Sequence, residues 1–249
     1  MDGPMQQRLV RFVGLIPLCL ITALAWGQTP SQRPRSGRAE RHVVLRPGLF
    51  FEEVWKRPPG TSGHAGRGGL NVALTGKANS NPELDLKVYA PGGAIRLVAE
   101  GSTENGNNPL HLWTGLCTSA CAVAFRDKRH YADLSGLARI RFNTKMSGFH
   151  HIRPIVELAD GTWWVGDQEV GSTRDWLVSE ISFAALHWLK LAMPQVVTRG
   201  NLVDKIDLSK VDQIGFVDLK AGSGHGPGGA ADVGQIEVYG RAVARTGQD

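Results

Sequence analysis

The chain has little of what most functional classes require. Cysteine is scarce, three residues in 249, and only Cys117 and Cys121 stand beyond residue 27. Two cysteines do not build a four-ligand structural zinc site. The C-x-x-C-H haem attachment pattern is missing, as are G-x-S-x-G and H-E-x-x-H, so the serine-elbow hydrolases and zinc peptidases find no support. Long apolar runs are absent past residue 27, and helical periodicity is almost absent throughout. Net charge is missing where a nucleic-acid groove would need it. The total is +5, yet seven of the 28 Lys and Arg and two of the 23 Asp and Glu precede residue 47, leaving 21 of each in the remainder. The excess sits in the Pro/Ser/Gly/Arg stretch 28–46, where Arg33, Arg35, Arg38, Arg41 and Arg46 face only Glu40. Such an arm reads as a flexible solvated linker that touches an anionic cell surface, and no nucleic-acid partner is expected.

What is present begins with an export signal. Arg8 and Arg11 precede the apolar run Phe12 to Ala25, and Ala25 and Gly27 supply small residues at the cleavage positions. This reads as a signal peptide over 1–27; the apolar run is shorter than the roughly 20 residues of a spanning helix. A secreted or periplasmic mature protein follows, with no stable membrane insertion. In that setting Cys117 and Cys121 suggest one small disulfide that stiffens a local turn, the alternative being two buried thiols.

Past residue 46 short runs rich in Val, Ile, Phe and Trp alternate with Gly, Pro, Asn and Asp. Strands are expected at 43–46, 49–55, 70–75, 84–90, 94–100, 110–116, 121–126, 137–145, 149–158, 162–166, 176–183, 211–218 and 234–240. The spacing predicts an all-β antiparallel sandwich over 47–242, one domain, followed by a disordered tail at 243–249. Only 183–206 has helical leanings, cut short by Pro194. One echo recurs: DLSGLARIRF at 133–142 and DLSKVDQIGF at 207–216. Each opens with an Asp and Ser suited to a side-chain-to-backbone turn and continues into a strand with apolar alternate positions.

Alternation also proposes a working face. Arg139, Arg141 and Asn143 share one side of their strand, and His151, Arg153 and Glu157 share one side of the next. A hairpin with a three-residue loop at 146–148 would set Asn143 opposite His151 and Arg141 opposite Arg153. The planar hydrogen-bonding groups so gathered suit hydroxyls and carboxylates, although a solvated outer face is the plainer explanation. Adjacent Trp163 and Trp164 should point to opposite faces, leaving one indole as a platform for a sugar ring. Trp113, Trp176 and Trp188 are expected in the core.

Gly224-His225-Gly226-Pro227-Gly228-Gly229 fits G-x-G-x-x-G. The dinucleotide reading requires a helix to follow, whereas here a strand follows, so no nucleotide is expected. The segment reads instead as an inter-strand rim loop presenting His225 to a ligand.

The succession DLSGLARIRFNTKMSG, RPIVELADGTWW, DWLVSEISFAAL, DLSKVDQIGFVDL and VGQIEVYG resembles the galactose-binding-like jelly-roll sandwich, and within it the secreted bacterial carbohydrate-binding modules. The resemblance covers about residues 84–240. It implies a carbohydrate partner held on a concave sheet face or at the loop rim. It also implies a structural calcium, for which Glu52 and Glu237 occupy matching places although further oxygen ligands are not evident; no other cofactor is expected. The resulting expectation is an exported protein recognising a polysaccharide or oligosaccharide through Arg139, Arg141, Asn143, His151, Arg153, Glu157, Trp163, Trp164 and His225. The alternative is a polysaccharide lyase or glycoside hydrolase using His151, Arg153, Glu157 and His225, with Asp167 or Asp218 as a second carboxylate.

Cleavage after Gly27 predicts that N-terminal sequencing of exported protein reads from Gln28; an intact Met1 in the exported fraction would contradict the signal.

Overall fold

The structure, a computed structural model, describes residues 46–60, 69–99, 109–220 and 228–245. The signal and nearly all of the arm, and with them the first expected strand, lie outside these residues. Fifteen strands account for most of what is described. In chain order they are β1 (Gly48–Val54), β2 (Leu70–Ala73), β3 (Leu84–Tyr89), β4 (Arg96–Ala99) and β5 (His111–Trp113). There follow β6 (Cys121–Asp127), β7 (His130–Asp133), β8 (Arg139–Met146), β9 (Ile152–Leu158) and β10 (Trp163–Gly166). The last are β11 (Leu177–Ser182), β12 (Trp188–Ala192), β13 (Val197–Val203), β14 (Val211–Asp218) and β15 (Ala231–Ala244). Among the described residues no helix is long and apolar enough to cross a membrane.

The pairings are antiparallel and form two sheets. Sheet I runs β11–β8–β15, and the far edge of β15 carries β1 and then β5, β4 and β2. Sheet II runs β3–β6–β14–β9–β10–β12–β13. This is the expected antiparallel sandwich of jelly-roll type. Between the sheets, Phe125, Phe142, Phe216, Ile140, Ile214, Val156, Leu97 and Leu112 are buried to within 2% of fully. Strand β15 belongs to both sheets: residues 231–239 pair with β8, and 241–244 pair with β7, itself joined to β14. Strand β15 thus runs into the stretch expected as a tail. Val243 and Ala244 still pair with Tyr131 and His130, and Arg245 stacks its guanidinium 4.2 Å from the Tyr131 ring.

The sequence echo has a structural meaning. Asp133 and Asp207 each accept a hydrogen bond from the backbone N–H of the Ser two residues on, both at 2.9 Å. The two turns are joined by Leu134 N–H donating to the Leu208 carbonyl at 2.9 Å. The strands that follow them lie in opposite sheets, and Phe142 meets Phe216 edge to face across the core at 6.4 Å.

The stretch 183–206 is not helical. A single 3-10 turn, Phe183–Ala185, precedes the β12–β13 hairpin, because Val197, Thr198 and Val203 favour extended backbone and β12 buries Trp188 and Leu191.

The last two glycines of G-x-G-x-x-G serve packing. Gly228 and Gly229 have φ of 65° and 83°. They lie against the Ser147-Gly148 turn: a Cβ on Gly229 would meet the Ser147 carbonyl oxygen at 2.5 Å, and one on Gly148 would strike the Gly228 carbonyl. Ala230 N–H donates to Ser147 Oγ at 3.0 Å, and Ser147 N–H returns a bond to the Ala230 carbonyl at 3.0 Å.

Gly229→Ala combines left-handed strain with a backbone clash and should lower stability by about 1–3 kcal/mol. Gly228→Ala, with open space around its Cβ, should cost only the conformational part, about 1–2 kcal/mol. Urea denaturation of the two variants checks the order.

Candidate functional site

The expected face does not assemble. Strand β8 spends both edges on β11 and β15, and β9 spends both on β10 and β14. The segment 147–151 therefore crosses from one sheet to the other instead of closing a hairpin, and Asn143 and Arg141 do not oppose His151 and Arg153. On the outside of sheet I the arginines satisfy themselves. Arg139 pairs with Glu180 at 3.0 Å and lies 3.9 Å above the Tyr239 ring. Arg141 pairs with Glu237 at 2.9 Å, and Tyr239 donates its hydroxyl to the same carboxylate oxygen at 2.6 Å. Asn143 is half-buried between Val178 and Gln235. Arg153 is only 2% exposed; its Nε donates to the Gly166 carbonyl at 2.8 Å. Burial holds its pKa below the usual guanidinium value, with Glu169 and Asp167 opposing. His151 faces Glu169 at 3.0 Å. His225 lies outside the described residues.

The calcium pair fares similarly. Glu52 and Glu237 are cross-strand partners, but Gln235 donates to Glu52 at 2.5 Å and Glu237 is engaged by Arg141. A cation there would have to displace that guanidinium, so these residues do not fit a calcium cage. Among the described residues no group of three or more His, Cys, Asp or Glu is placed to hold a metal.

A different site emerges on the outside of sheet II. Alternation places Lys87 and Tyr89 of β3, Ala122 and Ala124 of β6, Gln213, Gly215 and Val217 of β14, Arg153, Ile155 and Glu157 of β9, and Trp163 and Val165 of β10 on this face, in matching register. Its middle is built from the smallest side chains, Ala122, Ala124 and Gly215. A Cβ on Gly215 would run into the Val123 carbonyl. The result is a trough. Across it Tyr89 and Trp163, from strands with three others between them, meet edge to face at 5.6 Å. Flat strands so placed would stand about 19 Å apart, so the sheet must curl strongly around its small-residue floor. Ala122, Ala124, Ile155, Val165 and Val217 are consequently fully buried on the solvent side of their sheet.

Polar groups cluster at one end. The Gln213 amide donates to Glu157, and Gln213 is 1% exposed with its carbonyl oxygen unpartnered. Burial raises the Glu157 carboxyl above the usual range; Gln213, Lys87 and Trp163 oppose this and Asp212 adds to it. Burial, and secondarily Glu157, raise the Tyr89 hydroxyl. Asp212 itself is held by Arg126 at 3.1 Å and by Arg245.

Beside Tyr89 opens a cleft of about 410 Å³, lined by Val88 to Pro91, by Ser119 and Ala120, and by Pro194 to Val196. Cys117 and Cys121 are disulfide-bonded, and the short loop they close carries Ser119 and Ala120, so the bond braces one wall. The opposite wall is the β12–β13 turn. Val196 there has φ 50°, the one non-glycine residue in the left-handed region among those described. Its side chain, 4% exposed, packs into the apolar cluster of this face, which holds a conformation that ordinarily costs about 1–3 kcal/mol.

Of the predicted site residues the structure therefore brings Glu157 and Trp163 together. Trp163 is 9% exposed in the trough, while Trp164 points inward, half-buried against the inter-sheet core beneath Lys190. Trp188 is core at 1%; Trp113 and Trp176 are half-buried. Sequence reasoning missed Tyr89, Lys87 and Gln213. The signal that could have found them is the pairing of small outward residues in β6 and β14 with larger ones in their flanking strands.

No protein-family model matches the chain, and no curated protein matches it. Among solved structures it is similar to the family 11 carbohydrate-binding module of a cellulosomal cellulase of Clostridium thermocellum, with 15% identity, TM-score 0.40, and 69% of this chain and 96% of that chain covered. A family 11 module from Clostridium thermocellum in complex with a β-1,3-1,4-mixed-linked tetrasaccharide shows 16% identity and TM-score 0.39, covering 70% and 98%. An exo-β-agarase structure shows 11% identity and TM-score 0.37, covering 66% of this chain and 24% of that one. At these scores the likeness assigns no function.

The folded chain holds the Glu157 proton to higher pH than the unfolded chain does, so that contribution to stability is complete at low pH and is lost as pH rises through the elevated folded value. Glu157→Gln keeps the hydrogen bond to Gln213 without the buried charge. Its melting temperature should exceed wild type at neutral pH, and the gap should close below the ordinary glutamate value near 4.5. Scanning calorimetry at both pH values tests this; a constant gap would contradict it.

Proposed function

We propose that this protein is exported and binds a polysaccharide or oligosaccharide on the outer face of sheet II. The observation that carries the reading is the aromatic pair Tyr89–Trp163 over a floor of Ala122, Ala124 and Gly215, beside an open cleft. Tyr89, half-exposed, offers a ring at the mouth of the cleft on which the apolar side of a pyranose stacks. Glu157 and Lys87 then take hydroxyls at the polar end, and Ser119 and Gln195 take them in the cleft. The Arg139 and Arg141 face contributes nothing here, because its guanidinium groups are spent on Glu180 and Glu237.

The enzyme alternative has one carboxyl of suitable character, Glu157, but its neighbour Asp212 is bound by two arginines. A glycoside hydrolase needs a second working carboxylate. A lyase would need a cation that reaches the substrate, and Arg153 is buried.

Affinity electrophoresis of the mature protein against a polysaccharide panel should show retardation on at least one gel. Tyr89→Ala should weaken binding about tenfold, the loss of one aromatic stacking contact worth roughly 1–2 kcal/mol, while leaving the melting temperature within a few degrees. Release of new reducing ends would instead support the enzyme.

A further inference from the structure

Charge on this face is distributed in a way that bears on which saccharide it takes. The residues lining the cleft beside Tyr89 include no charged side chain; Ser119 and Gln195 are the polar side chains there besides Tyr89 itself. Along the trough the cations other than Lys87 are committed elsewhere. Arg126 is paired with Asp212 at 3.1 Å, and Lys128, on the turn beyond β6, donates to the Pro82 carbonyl at 2.6 Å and lies 3.8 Å from Asp85. Arg153 is buried beneath the face and bonded to Gly166. Lys87 is the one cation of this face, among the described residues, with no ion pair within 4 Å, and the half-buried Glu157 acts on the same end of the trough. Besides Lys87, the polar group at that end that remains open to a ligand is an acceptor, the half-buried Glu157 carboxylate, with Gln213 buried beneath it.

We infer that the site takes a neutral, hydroxyl-rich glycan and rejects uronic-acid and sulfated chains, with Glu157 as the residue that decides. This rests on the carbohydrate-binding reading above. Sugar hydroxyls are donors, and a carboxylate is the strongest acceptor they meet on this face. A neutral ring enters an uncharged cleft at the cost of hydroxyl desolvation alone, which Ser119, Gln195 and Tyr89 offset. An acidic repeat would carry a carboxylate or sulfate into a cleft with no cation to receive it and past the like charge of Glu157. Stripping water from an unpaired anion is far more costly than from a hydroxyl, and like charges so placed oppose binding.

The test is a glycan array at neutral pH and physiological salt that carries neutral, uronic-acid and sulfated chains, probed with the wild type and with Glu157→Gln and Glu157→Lys, each checked by circular dichroism. The expected result is wild-type signal on neutral chains only. Glu157→Gln should lose about tenfold or more on those chains, as expected for a hydrogen bond to a charged group, and Glu157→Lys should lose neutral chains and gain acidic ones. Wild-type binding to acidic chains as strong as to neutral ones would overturn the inference and leave carbohydrate binding standing. An unchanged neutral signal in a folded Glu157→Gln would overturn the role of Glu157. Binding to no chain at all would overturn the carbohydrate reading itself. The wild-type profile decides the class even where a variant does not fold.

Discussion

One buried carboxylate holds the two sheets in their relation. Asp218, at the end of β14, is fully buried. Its Oδ2 meets His150 Nδ1 at 2.6 Å and accepts the Thr114 hydroxyl at 2.7 Å, and its Oδ1 lies 3.4 Å from the His151 backbone N–H. Thr114 Oγ1 in turn accepts the N–H of Ala231, the first residue of β15, at 3.0 Å. Four segments from both sheets thus converge on one side chain. An isolated carboxylate so buried would be prohibitively costly. Hydrogen-bond partners of this quality offset the cost.

That junction decides where the candidate site forms. Because His150 is drawn to Asp218, the segment after β8 crosses to the other sheet, and β9 enters beside β14. Only then does Glu157 stand opposite Gln213 on one side and Trp163 on the other. The same end of the sandwich receives Gly228 and Gly229 against Ser147-Gly148, so glycines that resemble a phosphate loop in sequence are spent on close backbone approach.

The trough depends on a second constraint, the absence of side-chain volume at Ala122, Ala124 and Gly215. Bulky residues at these outward positions would fill the concavity and hold Tyr89 and Trp163 apart. With small ones the sheet curls, the rings meet, and apolar residues on the nominal solvent side become a second core. The disulfide wall and the strained Val196 turn then flank an opening at the Tyr89 end.

Much of the strand pattern was legible in the sequence because alternation and turn residues act locally. Asp133 and Asp207 form the expected side-chain-to-backbone turns, Ile140, Phe142, Ile214 and Phe216 fill the core, and Cys117 bonds Cys121. Pairing was not legible. The face joining Arg141 to Arg153 assumed that β8 and β9 are neighbours, whereas both edges of β8 were claimed by β11 and β15, and β9 was held between its own successor β10 and the remote β14. Likewise local preference in 183–206 gave way to the burial offered by the edge of sheet II. The sequence by itself determined which residues alternate and which way each strand turns, since those follow from backbone sterics and near-neighbour hydrogen bonds. Only the tertiary structure decided that Tyr89, Gln213, Glu157 and Trp163 share one trough, because that depends on long-range register and on a curl summed over five strands.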